Sequence, residues 1–332
     1  KHRAVRFMKE VVLFYEDFLI TGEDGKYIFV PSLSPENVPN HEHASMMCVN
    51  ATMDVAIAKE CITNLITACK YLDIEDVNIS KWETMLEKMP QYEINEDGAM
   101  KEWIYDGLKD NYYHRHQSHI YPLFPGNEIT KESNPVIYEA LKTAVDKRLM
   151  IGFVQQTGWS YAHMANIYAR LEDGQNALAC LNYILRSCTG SNLFTYHNDW
   201  RDQGLTLYWF GKMPPFQIDA NLGFTAAMIE MLIFSKDGFL RILPALPQAW
   251  NKGKLLNIST RCGIKCDIIW QDKIVNLYMS SYDDQTVIIE LPYIPEELEF
   301  KDCEGILVKE ENGHSYYSVS LKKDIKGSLF IK

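Results

Sequence analysis

The strongest constraint on what this chain can fold into is a change of sequence texture near residue 235. Before it, apolar residues recur at three- and four-residue spacing, the period of a helix face. Val5, Met8, Val12, Tyr15 and Leu19 make one such stripe over residues 3–19, and Met53, Ile57, Cys61, Leu65 and Ala68 make another over 51–71. Further helices are expected at 79–88, 99–109, 135–149, 157–171, 174–187 and 219–234, with Gly174 and Gly190 as breakers near helix ends. After Gly238 the runs at 263–270, 274–280, 286–291 and 316–321 are short and rich in β-branched and aromatic residues. Turn pairs such as Asp283-Asp284 and Asn312-Gly313 lie between such runs, which is the pattern of an antiparallel sandwich. The expected organisation is therefore a helical region over 1–238, with helix hairpins packed side by side, and a small antiparallel β-sandwich over 239–332. Residues 243–250, with two prolines, are expected to stiffen the join.

A chain of 332 residues with 47% hydrophobic and 23% charged residues has material for a sizeable core. Its net charge of -11 leaves no excess of Lys and Arg to neutralise phosphates, which argues against nucleic-acid binding. No apolar run approaches the ~20 residues that a membrane span needs. The eight cysteines show no staple pattern. Reduced thiols are favoured over a disulfide framework or a metal site, although Cys262 and Cys266, four apart in a strand-like segment, share a face and are able to pair. A cytoplasmic setting is favoured over an exported one, and the N-terminus that would show a leader is expected to be missing.

Three long loops, 21–49, 110–134 and 189–218, hold the polar clusters, and loops of such length inside a helical region tend to be functional. In Pro31-Ser-Leu-Ser-Pro-Glu36-Asn37, two prolines hold the backbone extended around a carboxylate. That suits a rigidly presented proton donor; a solvated surface turn is the other reading. In His114-Arg-His-Gln-Ser-His119, three imidazoles and a guanidinium admit a metal site, a structural cluster or a sugar-binding loop. No carboxylate or thiolate stands at a recognised spacing to complete a metal site. In Met213-Pro-Pro-Phe-Gln-Ile-Asp219-Ala-Asn221, a Pro-Pro turn delivers Asp219 to a helix start, where it either caps the helix or serves chemistry. Asp54, Glu102 and Trp159 are lesser candidates, the tryptophan as a stacking wall for a sugar.

The segments Ser32-x-Ser-Pro-Glu-Asn37, Thr52-Met-Asp54, Glu102-Trp103, His114-Arg-His-x-Ser-His119, Phe124-Pro-Gly126, Gly158-Trp-Ser160, Asn192-Leu-Phe194 and Pro215-Phe-Gln-Ile-Asp219-x-Asn221, in that order, resemble bacterial members of glycoside hydrolase family 95. The resemblance covers nearly the whole chain. It implies an (α/α)6 toroid-type barrel, incomplete at its N-terminus, followed by the β-sandwich. It also implies an inverting, exo-acting α-L-fucosidase that needs no cofactor or metal and takes fucosylated oligosaccharides or glycans. By motif, Glu36 is the general acid, with Glu102 in reserve. Asp219 polarises an asparagine amide that takes a proton from the attacking water, and that asparagine is expected upstream of Lys1. Arg115 and His116 match residues that hold the fucose, and His119, Glu102, Asp54, Trp159 and Asn221 join them as substrate-side candidates. The chain alone is then expected to be inactive. An α-L-galactosidase on the same scaffold and a non-catalytic carbohydrate-binding fragment are the alternatives. The stretch 197–212, with Asp199, Trp200, Arg201, Asp202, Tyr208 and Trp209, departs from the family pattern, as does Met213 where a histidine is usual.

Overall fold

The computed structural model describes residues 2–40, 45–207 and 214–332. Two compact units result, one from residues 1–160 and 198–214, the other from 161–197 and 215–332.

The first unit begins with helix α1 (His2–Phe18) and two small antiparallel pairs, β1 (Ile20–Thr21) with β2 (Tyr27–Ile28), and β3 (Ser32–Leu33) with β4 (Met47–Cys48). Helices α2 (Thr52–Tyr71), α3 (Ile79–Glu87) and α4 (Pro135–Ile151) follow, and α5 (Gly158–Arg170) starts here. The α1 stripe is as read: Val5 and Val12 are buried and Met8 and Tyr15 pack against the same core. In α2 the buried stripe is instead Val55, Ala58, Ile62, Leu65 and Cys69. Met53, Ile57, Cys61 and Ala68 are only half-buried, because α2 is apolar on two faces and turns the other one to the core. Helix α4 starts where Asn134 accepts the Ile137 N–H at 3.1 Å, with Pro135 in the first turn.

The helix expected at 99–109 does not form. The amides there bond outward: Met100 N–H to Ala140 C=O, Lys101 N–H to Glu93 C=O and Ile104 N–H to Asn50 C=O, each within 3.0 Å. Ala51 and Trp103 form an antiparallel bridge. Tertiary partners satisfy these groups better than an i to i−4 ladder, so propensity loses.

The second unit holds the rest of α5, then α6 (Gly174–Tyr183), which continues as a π-turn (Ile184–Cys188), and α7 (Ile218–Leu232). Asp173 caps α6 by accepting the Asn176 N–H at 3.0 Å. Gly174 is less a breaker than a packing necessity, since a Cβ there would come within 2.3 Å of the Ala245 carbonyl oxygen. The sheets begin at once, with β5 (Ile233–Lys236) and β6 (Phe239–Ile242), so residues 243–250 run inside the sheet part rather than joining it to the helices. Then come β7 (Lys252–Ser259), β8 (Ile264–Gln271), β9 (Ile274–Ser281), β10 (Gln285–Leu291), β11 (Leu298–Lys301), β12 (Glu304–Glu311), β13 (His314–Leu321) and β14 (Lys326–Ile331). They form two five-stranded sheets, ordered β12-β13-β10-β6-β5 and β11-β14-β9-β8-β7, antiparallel except for β6 beside β10. Alternate residues of both sheets, among them Ile264, Ile268, Leu277, Ile289, Val319 and Leu329, fill one core. The β12–β13 turn uses Asn312 at φ 51° and Gly313 at φ 82°, the backbone that a two-residue hairpin needs. All eight cysteines are free thiols, and Cys262 precedes β8 rather than sharing its face with Cys266.

One buried charge network ties the α5–α6 corner to the first sheet. Arg241 on β6 pairs with Glu290 at 2.7 Å and with Glu172 at 2.8 Å, while His314 Nδ1 meets Glu290 at 2.6 Å. Glu290 is fully buried. Arg241→Met would leave two enclosed carboxylates without their guanidinium, so we expect a loss of about 3–5 kcal/mol, read from urea unfolding of the purified chain.

Candidate active site

The Ser-Pro-Glu-Asn segment is a tight turn, closed by the Asn37 N–H donating to Ser34 C=O at 2.8 Å. Its two ends point inward and Glu36 points out. The Ser34 hydroxyl donates to Glu102 Oε1 at 2.7 Å and the Asn37 amide to Glu102 Oε2 at 2.8 Å. The same Glu102 oxygen receives Arg148 at 2.6 Å, with Arg148 0% and Glu102 1% exposed. Arg148 also donates to the His116 carbonyl, and the Ser118 hydroxyl donates to Pro35 C=O at 2.8 Å. One buried ion pair thus binds the 32–37 turn to the 114–119 loop, satisfying both charges at once.

On the outer side of that frame Glu36 is 56% exposed, and Arg115 forms an ion pair with it. His116 Nε2 lies 3.8 Å from the same Glu36 oxygen. The structure therefore brings Glu36, Arg115 and His116 together. It places Glu102 behind them, enclosed by protein partners. Burial opposes charge on Glu102, but Arg148, His119 and the Ser34 hydroxyl outweigh it and hold its carboxyl below the usual carboxylate range. A carboxylate so held cannot reach a ligand in solvent to give it a proton.

The remaining candidates take supporting positions. Asp54 accepts the Ser32 hydroxyl at 2.7 Å and the Leu33 N–H at 3.2 Å, pinning β3 to the first turn of α2. His119 is 1% exposed. Trp159, half-buried, follows a reciprocal cap in which the Thr157 N–H donates to the Ser160 hydroxyl at 2.6 Å. Asn221 accepts the Thr195 N–H at 2.9 Å and donates to Leu193 C=O at 2.9 Å, so its amide holds the 189–197 loop. Asp219 lies in the first turn of α7, exposed, and makes no hydrogen bond or ion pair among the described residues. It is not the cap: Gln217 holds that position. Glu36 belongs to the first unit and Asp219 to the second. In the 197–212 stretch, Asp199 gathers the N–H groups of Arg201, Gln203 and Gly204 within 3.0 Å, and Arg201 lies over the Trp200 ring. Tyr208, Trp209 and Met213 fall outside the described residues.

Among the described residues, the three histidines do not converge with other ligands on a cation site. Among the described residues, the group of acidic, thiol and imidazole side chains whose ligand atoms converge is Glu172, Glu290 and His314, where Arg241 already supplies the positive charge. Burial pushes His114, His116 and His119 down to about 4, helped by Arg148 and, at His116, by Arg115. They are therefore neutral at pH 7, each able to donate and accept one hydrogen bond. Sequence reasoning missed Arg148, Ser34 and Asn37 as the frame. A signal existed: Arg148 continues the stripe Ile137, Leu141, Ala144 on the buried face of α4, where a cation needs a partner.

The comparisons with known proteins give this chain a family. Residues 1–232 match the family model described as "Glycosyl hydrolase family 95 catalytic domain", and 234–325 that for the "Glycoside hydrolase family 95, C-terminal domain". The chain belongs to glycoside hydrolase family 95. It is 34% identical to Alpha-L-fucosidase 2 of Arabidopsis thaliana over 82% of this chain and 32% of that protein. It is 26% identical to Probable alpha-fucosidase A of Aspergillus oryzae over 78% of this chain and 36% of that protein. The chain thus spans about a third of the length of the curated relatives it matches. Those three are plant and fungal, so the bacterial likeness expected from the motifs has no counterpart among them. Among solved structures it is similar to an α-L-rhamnosidase of Streptomyces avermitilis complexed with L-rhamnose, at 13% identity and TM-score 0.48 over 85% of this chain and 27% of that one.

The depressed imidazoles set a pH dependence. Each folded value, about 4, lies below the ordinary 6.5, so between these pH values the unfolded chain binds more protons. Stability is then full above pH 6.5 and declines as pH falls towards 4. We expect the urea midpoint to drop across that window, with the imidazole NMR signals of His114, His116 and His119 in the folded chain unshifted from pH 7 to 5.

Proposed function

We propose that this chain is the C-terminal part of an inverting α-L-fucosidase, with Glu36 as general acid, Asp219 as activator of an asparagine base, and Arg115 and His116 as sugar ligands. The observation that carries the reading is the presentation of Glu36: an outward carboxylate on a turn whose two neighbours are locked to a buried ion pair. A proton donor must stay fixed while the leaving oxygen moves, and this frame supplies that constraint. Substrate hydroxyls compete with Glu36 for the Arg115 guanidinium, so sugar binding frees the carboxyl to act. Neutral His116 offers a donor that does not depend on pH near 7. The exposed Asp219, unpartnered at a helix N-terminus, supports a role towards a group that the described residues do not contain. The names of the plant and fungal relatives support fucose as the sugar.

The helices complete an (α/α)6 barrel with segments upstream, a reading supported by the one-third coverage of the relatives and by the exposure of Phe7, Leu13 and Phe14 on α1. Without the upstream asparagine, the chain alone is inactive. Residues 1–232 form the catalytic part and 233–332, from β5 onwards, the accessory sandwich.

The test uses the intact enzyme. Glu36→Gln should lower turnover of a natural fucoside by about 10²–10⁴-fold with little change in binding, and much less for an aryl fucoside whose leaving group needs no proton. Asp219→Asn should slow both substrates alike, since the water still lacks its activated base. Near-normal turnover of the natural fucoside by Glu36→Gln would remove the acid assignment.

A further inference from the structure

The stretch 197–212, where the sequence departs from the family pattern, has no part in the reading above. Among the described residues it forms a tight turn over 199–204. Asp199, 5% exposed, closes that turn from inside by accepting the N–H groups of Arg201, Gln203 and Gly204 within 3.0 Å. Asp202 at φ 54° and Gly204 at φ 68° supply the left-handed backbone of the reversal. The side chains of Trp200, Arg201, Asp202 and Gln203 remain outside, all exposed.

The turn is anchored to the loop that carries Arg115 and His116. The Asp199 N–H donates to Leu207 C=O at 3.3 Å, and the Leu207 N–H to Gln156 C=O at 2.7 Å. Gln156 is 0% exposed, and its side-chain amide donates to Gly152 C=O at 3.0 Å and to His114 C=O at 3.4 Å. Beside it, the Gln155 amide donates to the Tyr113 hydroxyl at 3.0 Å. One buried glutamine thus joins both loops inside a single unit.

What the turn presents fits one kind of ligand. Trp200 is 39% exposed even with Arg201 over its ring, the guanidinium carbon 4.9 Å from the ring centroid. A pyranose matches that pair, with a C–H face for the indole and hydroxyls for the Arg201 and Gln203 donors. A wholly apolar ligand would strip water from Arg201 without replacing its hydrogen bonds. An anion drawn to Arg201 would meet Asp202 next to it. In an enzyme that removes a terminal fucose held by Arg115 and His116, the sugar left to bind is the one beyond the bond.

We propose that Trp200, with Arg201, is a specificity-determining platform of the active site that stacks the neutral sugar on the leaving side of the cut bond. It rests on the fucosidase reading, which supplies the sugar; the structure supplies the aromatic plane and its anchorage to the Arg115 loop. The departure from the family pattern then governs which glycan is cut and leaves the chemistry to Glu36 and Asp219.

Kinetics of the intact enzyme on two substrates test it: 2′-fucosyllactose, with sugars beyond the bond, and α-L-fucosyl fluoride, with none. In Trp200→Ala the ratio of kcat/KM for the first to that for the second should fall by about threefold to tenfold, carried by KM. Trp200→Leu, which keeps apolar bulk for folding but no ring, should show the same fall. Trp200→Phe restores a ring and should recover most of the ratio. An unchanged ratio in the alanine and leucine variants, equal losses on both substrates included, overturns the platform and leaves the fucosidase reading standing. Unmutated enzyme that turns over neither substrate overturns the fucosidase reading and the platform with it.

Discussion

The first unit depends on the ion pair between Arg148 and Glu102, both almost wholly out of solvent. Two charges are costly to bury, and the cost is offset only when every remaining donor and acceptor finds a partner. Here that need organises the chain. Glu102 draws in Ser34 and Asn37, Arg148 draws in the His116 carbonyl, and two loops distant in sequence become one surface. The helix that local propensity favours around Glu102 is given up for this arrangement. Its backbone instead bonds to the neighbours that bring the carboxylate into place.

The chemistry of the outer surface follows from that frame. Glu36 projects because its neighbours are held inward, and Arg115 lies against it, with His116 partly buried beside them and its carbonyl tied to Arg148. Desolvation keeps the imidazoles neutral, and the nearby guanidinium groups push in the same direction.

The second unit uses the same device for a different end. Arg241 between Glu290 and Glu172 joins a helix corner to a sheet, and His314 closes the network. Close approach of backbones does the rest: Gly174 lets the α5–α6 corner lie on the Ala245 carbonyl, and Gly253 lets the Trp270 ring lie across its strand, where a Cβ would fall within 2.3 Å of the ring. The Gly174 contact holds the 243–246 segment, part of a stretch that reads in sequence as a linker and in fact lies between two strands of the sheet part.

By itself the sequence determined the two textures, most helices to within one or two residues, and the strands β8, β9, β10 and β13. Those signals are local: periodicity, proline placement and motif order. The edge strands β7 and β12 escaped because they are mostly exposed and lack a clear apolar alternation. The tertiary structure alone decided that Glu102 is a buried anchor rather than a ligand, that Asp54 and Asn221 hold backbone, and that residues 99–109 are not a helix. The physical reason is common to these cases. Whether a polar group acts on a ligand or holds the fold depends on which partners surround it after burial, and those partners lie 20 to 70 residues away along the chain.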